Sequence, residues 1–116
     1  MFLAEQGSVL CNERDYMLNK LTGIEERFQK LEQLLSDPEI VKDQNAYQKC
    51  VKEHGELNKI VTVFREYKRV LEDTKDSREL LKDSDPDIKE MAKDELESLE
   101  TEEKELENAL KKLLIP

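Results

Sequence analysis

Tryptophan is absent from this chain, and three Phe and three Tyr are its only aromatic side chains. With 41% of residues charged, it cannot fill a thick globular core, and 116 residues suit one domain. Three glycines and three prolines leave little turn chemistry for β-hairpins. Two cysteines, Cys11 and Cys50, are too few for a disulfide framework. A single histidine, His54, leaves no plausible Ser-His-Asp set, and there is no Gly-rich phosphate-cradling loop. No apolar run approaches the roughly 20 residues of a membrane span. The opening Met1-Phe-Leu-Ala-Glu5 lacks a basic leader, and Leu10 before Cys11 does not suit lipoprotein processing, so a cytoplasmic location is expected.

What the chain has is charge, mostly acidic. The formal net charge is −9, which argues against a nucleic-acid surface, because phosphate contacts need clustered Lys and Arg. From Asp85 to Pro116 there are eleven Asp or Glu against five Lys, so this segment carries most of the excess. A solvated face accounts for such a run; steering of a basic protein partner is the functional alternative.

The apolar residues recur at helical spacing. Between Asp43 and Lys82 there is no proline, and Tyr47, Cys50, His54, Leu57, Ile60, Phe64, Tyr67 and Leu71 step by three or four. That places one stripe along one helix face. Before it, Met17, Leu21, Ile24, Phe28, Leu31 and Leu35 form a heptad seam. After it, Ala92, Leu96, Leu99, Leu106, Leu110 and Leu113 form another, which Glu103 interrupts. Glu103 either reaches to the edge of the bundle or marks where a partner helix ends and another surface docks.

Two Asp-Pro steps punctuate the pattern. Proline disfavours helical geometry in the residue before it and is welcome at the first helical position. Asp37-Pro38 therefore ends one helix and starts a short turn to Val41, and Asp43 is placed to cap the long helix. Asp85-Pro86 repeats the signal, with Asp87 in the first turn of the next helix. The expected fold is all-α: an elongated antiparallel three-helix, coiled-coil-like bundle with helices near 17–35, 43–82 and 86–114, the middle one longest. Residues 1–16 show no clean period and are expected to be an irregular extension, with Met17 a candidate natural start. Leu113-Leu-Ile-Pro116 looks like a chain leaving for another domain.

Few constellations suggest chemistry. Asp83-Ser-Asp85-Pro-Asp87 begins like a calcium loop, but Ile88 stands where that loop needs glycine and Asp94 where it needs Glu, so helix capping is expected. Cys50 and His54, four apart, share a helix face at zinc-ligand spacing, yet further ligands have to come from elsewhere; stripe positions are expected. Adjacent carboxylates such as Glu25-Glu26 and Glu102-Glu103 diverge on a helix and do not converge for acid–base work. Glu26 with Lys30, Glu100 with Lys104, and Glu107 with Lys111 are spaced for i,i+4 pairing. No catalytic residue, metal or cofactor is expected, and the chain by itself is not expected to be an enzyme.

Particular words of the sequence go further. Ile24-Glu-Glu-Arg-Phe28, Leu34-Leu-Ser-Asp-Pro-Glu39, Asp43-Gln44, Phe64-Arg-Glu-Tyr67, Asp85-Pro-Asp-Ile-Lys-Glu-Met-Ala-Lys-Asp-Glu-Leu96 and Leu113-Leu-Ile-Pro116 occur in order. Together, from Met17 to the last residue, they resemble the N-terminal helical domain of bacterial class I peptide chain release factors. The Asp85–Leu96 run and the closing Leu-Leu-Ile-Pro resemble the UAA- and UAG-reading branch more than the UGA-reading one. The family's Gly-Gly-Gln tip and codon-reading Pro-x-Thr tripeptide are not in this sequence, so no catalytic or codon-reading residue carries over. The resemblance implies a parent factor that recognises stop codons on the ribosome and promotes peptidyl-tRNA hydrolysis. It also implies contact of this domain with ribosomal proteins at the stalk base, and interplay with the class II GTPase release factor, without direct nucleic-acid contact or a membrane. Exposed acids of the third helix, Glu97, Glu100 and Glu107, and the Ser36–Asp43 turn, with Asp37 and Asp43, are the candidate protein contacts. The competing expectation is a free-standing cytoplasmic scaffold that dimerises through exposed seams; a severed domain also pairs through surface normally covered.

Overall fold

The computed structural model describes the backbone of residues 2–115 and the side chains of residues 14–115. Met1, Pro116 and the side chain of Cys11 lie outside the described residues. Four α-helices and no strands are present among the described residues: α1 (Phe2–Leu35), α2 (Pro38–Lys42), α3 (Gln44–Leu80) and α4 (Pro86–Leu114). The fold is all-α, as expected. The chain divides into two compact units, Met1–Val61 and Thr62–Pro116.

In the first unit, α1 and the start of α3 form an antiparallel pair. Arg27 of α1 meets Glu53 of α3, and both lie about two turns from the connection, so the chain doubles back there. The seam of α1 is legible in the burial: Met17, Leu21, Phe28 and Leu31 are buried, while Ile24 and Leu35 are half-buried. Each fully buried Leu or Phe contributes about 1.5–3 kcal/mol by leaving water. One difference concerns the start of α1, which begins at Phe2 rather than near Met17. Residues 2–16 hold no proline, and Gly7 costs a helix only about 1 kcal/mol. Extending an existing helix adds one hydrogen bond per residue fixed, so a seam is not required for it to continue.

The connection follows the capping logic. Asp37 is extended (φ −81°, ψ 122°), and its carboxylate accepts the Glu39 N–H at 3.0 Å, with Pro38 at the first helical position. Pro38–Lys42 closes as a helix of its own, which adds a fourth helix to the three expected. Asp43 ends α2 by donating its N–H to the Ile40 carbonyl at 3.1 Å, and its carboxylate accepts the Ala46 N–H at 3.2 Å to cap α3.

In the second unit, the rest of α3 pairs with α4. Arg69 reaches Glu102, whereas Tyr67, two residues earlier, reaches Glu107 further on. That reversal makes the pair antiparallel. Phe64, Tyr67 and Val70 are buried on α3, followed by the polar Thr74 and Ser77. The sequence stripe ran through Leu71, which is half-buried, and its early members Cys50, His54, Leu57 and Ile60 are also half-buried, with Tyr47 exposed. The buried row and the stripe share Phe64 and Tyr67 and part after them, where burial steps by three to Val70 and the stripe stepped by four to Leu71. Thr74 fits because its hydroxyl donates to the Val70 carbonyl at 2.8 Å. On α4, Ala92, Leu99 and Leu110 are buried, Leu96, Leu106 and Glu103 half-buried, and Leu113 exposed. Asp85 starts α4 as Asp37 starts α2, accepting the Asp87 N–H at 2.9 Å from an extended backbone.

Candidate protein-contact surface

Three of the sequence-designated acids have structural duties. Asp37 and Asp43 are exposed but hold helix starts through their carboxylates. Glu107 is half-buried, not exposed, and accepts a hydrogen bond from Tyr67 Oη at 2.7 Å. Glu97 and Glu100 are exposed on α4. The five belong to different units, Asp37 and Asp43 to the first and the three glutamates to the second.

Charge elsewhere is organised by two arginines. Arg27 clasps Glu53 with Nε to Oε2 at 2.7 Å and Nη2 to Oε1 at 3.0 Å, a bidentate geometry that suits the guanidinium fork. That hydrogen bond holds the Glu53 carboxyl below the usual carboxylate range and raises Arg27 further. Arg69 touches three carboxylates: Glu66 and Asp73 on its own helix, each at 2.6 Å, and Glu102 on α4 at 3.2 Å. The Glu66 hydrogen bond is the largest cause of the upward shift of Arg69, and Glu66 is lowered in turn. The two intrahelical contacts of Arg69 follow i,i+3 and i,i+4 spacing and were legible; the partners across helices had no sequence signal.

His54 stacks on Phe28 with centroids 4.3 Å apart and planes 17° from parallel. Its Nε2 is enclosed, without a hydrogen-bond partner, 3.6 Å from Glu32 Oε2. Cys50 is a half-buried free thiol. No group of three or more potential metal-binding side chains converges among the described residues. The Asp83 and Asp85 carboxylates each accept a backbone N–H, from Asp85 and Asp87 respectively, both at 2.9 Å. No described helix is long and apolar enough to cross a membrane.

One surface feature escaped the sequence analysis. Ser77 and Leu80 of α3 and Ile88, Met91, Ala92 and Glu95 of α4 line an open groove of about 360 Å³. Met91 is 72% exposed and Leu80 48%. Ile88 extends the α4 seam backwards by one turn from Ala92; Met91 lies off that seam and offered no periodic signal.

These features define an all-helical chain whose ionic contacts run both along and between helices and whose candidate contacts are acidic. The PCRF domain matches residues 24–116, and the chain belongs to that family. It is 56% identical over 100 residues to the peptide chain release factor 1 of Desulfatibacillum aliphaticivorans, an alignment covering 86% of this chain and 28% of that protein. The release factor 1 proteins of Oleidesulfovibrio alaskensis, at 44% over 100 residues, and Bacillus cytotoxicus, at 43% over 101, share the same coverage. The chain thus spans a little over a quarter of the length of the curated relatives it matches. No solved structure matches significantly.

Proposed function

We propose that this chain serves as the N-terminal helical domain of a release factor that recognises UAA and UAG on the ribosome and promotes peptidyl-tRNA hydrolysis. The observation that carries the reading is the family match over residues 24–116 together with identity to proteins named peptide chain release factor 1. Family membership favours it over a free-standing scaffold. In this role the domain is not itself a catalyst. It acts in the cytoplasm as a docking module for basic proteins at the ribosomal stalk base and for the class II GTPase release factor. An acidic surface suits such partners because it speeds encounter and fixes orientation.

Glu97 and Glu100 are the favoured contacts, since both are exposed; Glu107, Asp37 and Asp43 are candidates whose substitution also disturbs structure. Co-sedimentation of the full-length factor with ribosomes tests the reading. Lysine at Glu97, Glu100 and Glu107 together is expected to weaken association about tenfold or more. Unchanged association removes this face from the docking surface.

A further inference from the structure

Met91 is the most exposed large hydrophobic side chain among the described residues, at 72%. It stands over the groove between the end of α3 and the start of α4, whose floor and walls are Ser77, Leu80, Ile88, Ala92 and Glu95. On a helix, the surface neighbours of a residue lie three and four positions away, and those two positions away point to nearly the opposite side. For Met91 the near neighbours are Asp87, Ile88, Asp94 and Glu95, one apolar residue and three carboxylates. Lys93 lies two positions away and is turned from the groove, whereas Lys89 lies three positions from Ala92 and flanks the opposite edge. For Leu80 the near neighbours within α3 are Asp76 and Ser77, again without a base, while Arg78 lies two positions away. The apolar groove therefore has acid on its Met91 side, with Glu95 itself in the lining.

We infer that this groove docks a basic amphipathic protein helix, which inserts an apolar anchor against Leu80, Ile88 and Met91 and sets Lys or Arg against Asp87, Asp94 and Glu95. This deepens the proposed role as a docking module for basic proteins, and rests on it for the nature of the partner. Charge decides the occupant. A second copy of this chain carries the same net charge of −9 and brings like charge to the rim. Nucleic acid is repelled for the same reason. A methionine is suited to such a contact because its unbranched, polarisable side chain adapts to the shape of the anchor.

Fluorescence anisotropy with a labelled 18-residue Lys/Leu amphipathic helix as the probe tests the groove without ribosomes. Unlabelled Glu/Leu helix of the same pattern is the competitor control. Met91→Ser removes apolar surface from an exposed position and is not expected to disturb folding, which circular dichroism checks. It is expected to weaken the Lys/Leu helix about tenfold. Triple reversal, Asp87→Lys with Asp94→Lys and Glu95→Lys, is expected to weaken it at least as much. Glu56→Lys, an exposed substitution in the first unit, is expected to leave it unchanged, and the Glu/Leu helix is expected not to compete. Equal losses in Met91→Ser and Glu56→Lys overturn the proposal, because binding then follows total charge and not the groove. A concentration-dependent dimer in sedimentation that Met91→Ser abolishes overturns it in favour of a second copy. Loss of ribosome association on reversing Glu97 and Glu100, with the Lys/Leu helix unaffected by Met91→Ser, removes the groove and leaves the docking role standing. Groove binding without any ribosome association removes the role and leaves the groove.

Discussion

Tyr67 Oη donates a 2.7 Å hydrogen bond to Glu107 Oε1, joining α3 to α4 from a tyrosine ring that is itself fully buried. The contact fixes the register of the pair at a point where an aromatic body is in the core and its hydroxyl reaches a carboxylate. A buried Tyr keeps its hydroxyl satisfied in this way. Tyr67→Phe retains the ring and deletes the donor, so it is expected to destabilise the protein by about 1–2 kcal/mol. Urea denaturation followed by circular dichroism measures it; a loss below a few tenths of a kcal/mol contradicts the assignment.

The same bond separates the glutamates proposed as contacts. Glu107→Lys is expected to lower the melting temperature, because it sets an ammonium where a phenol donates. Glu97→Lys and Glu100→Lys change exposed positions and are expected to stay within ~0.5 kcal/mol of the parent. Thermal melts of the three single variants therefore have to accompany any ribosome-binding result.

Much of this arrangement was legible beforehand. The α1 seam from Met17 to Leu31 was read correctly because its large residues keep the heptad step and polar residues fill the gaps. The Asp-Pro starts at Asp37 and Asp85 were legible because capping is local chemistry, settled within three residues. The buried end of α3 was not. Val70, Thr74 and Ser77 follow Tyr67 inward, and two of them are polar, so hydropathy gave no reason to extend the core there. The cross-helix partners Arg27–Glu53 and Tyr67–Glu107 depend on register between segments, which a periodic pattern leaves free by whole turns. Glu107 looked exposed for that reason. The helix ahead of Met17 was missed because residues 2–16 carry no clean period, and periodicity was the only helix signal used there.

Gly23 and Gly55 lie within α1 and α3. A Cβ added at either position meets no neighbouring atom within 4 Å, and neither backbone has a positive φ. Glycine then confers no geometric benefit and carries the entropic cost of a flexible unfolded state. Gly23→Ala and Gly55→Ala are each expected to raise stability by about 0.5–1 kcal/mol. Chemical denaturation checks this, and a loss at either site reveals a close approach that the structure does not contain.

Acid should loosen the first unit through Glu53. Its carboxyl is held below the ordinary range by Arg27, so the folded state binds that proton less readily than the unfolded one. The resulting stability is present above the unfolded carboxylate value and is lost as pH falls through the lowered one. Arg27→Ala removes the cause. The melting temperatures of parent and Arg27→Ala are expected to differ at pH 7 and to converge only once the pH has fallen below the lowered Glu53 value, where the carboxyl is protonated in both. Both side chains are partly exposed, so the difference is expected to be small and to shrink with added salt. A gap that persists at low pH assigns the effect of Arg27 to packing of its aliphatic stem.

Arg69 supplies the corresponding test in the second unit. Its guanidinium serves Glu66 and Asp73 along α3 and Glu102 on α4 at once. Three carboxylates gathered without that cation repel one another, so its removal does more than delete three exposed pairs. A lysine supplies the charge but not the planar fork, and one ammonium on a flexible stem does not reproduce the same three contacts. Arg69→Lys is therefore expected to fall between the parent and Arg69→Met in melting temperature. If the effect is electrostatic, the spread among the three narrows as ionic strength rises from about 0.05 M to 1 M, where the screening length drops to roughly 3 Å. Asp73→Asn and Glu102→Gln separate the intrahelical from the interhelical contact. Glu102→Gln is expected to give the larger loss, because only that contact spans two helices; an equal loss from both places the benefit within α3 alone.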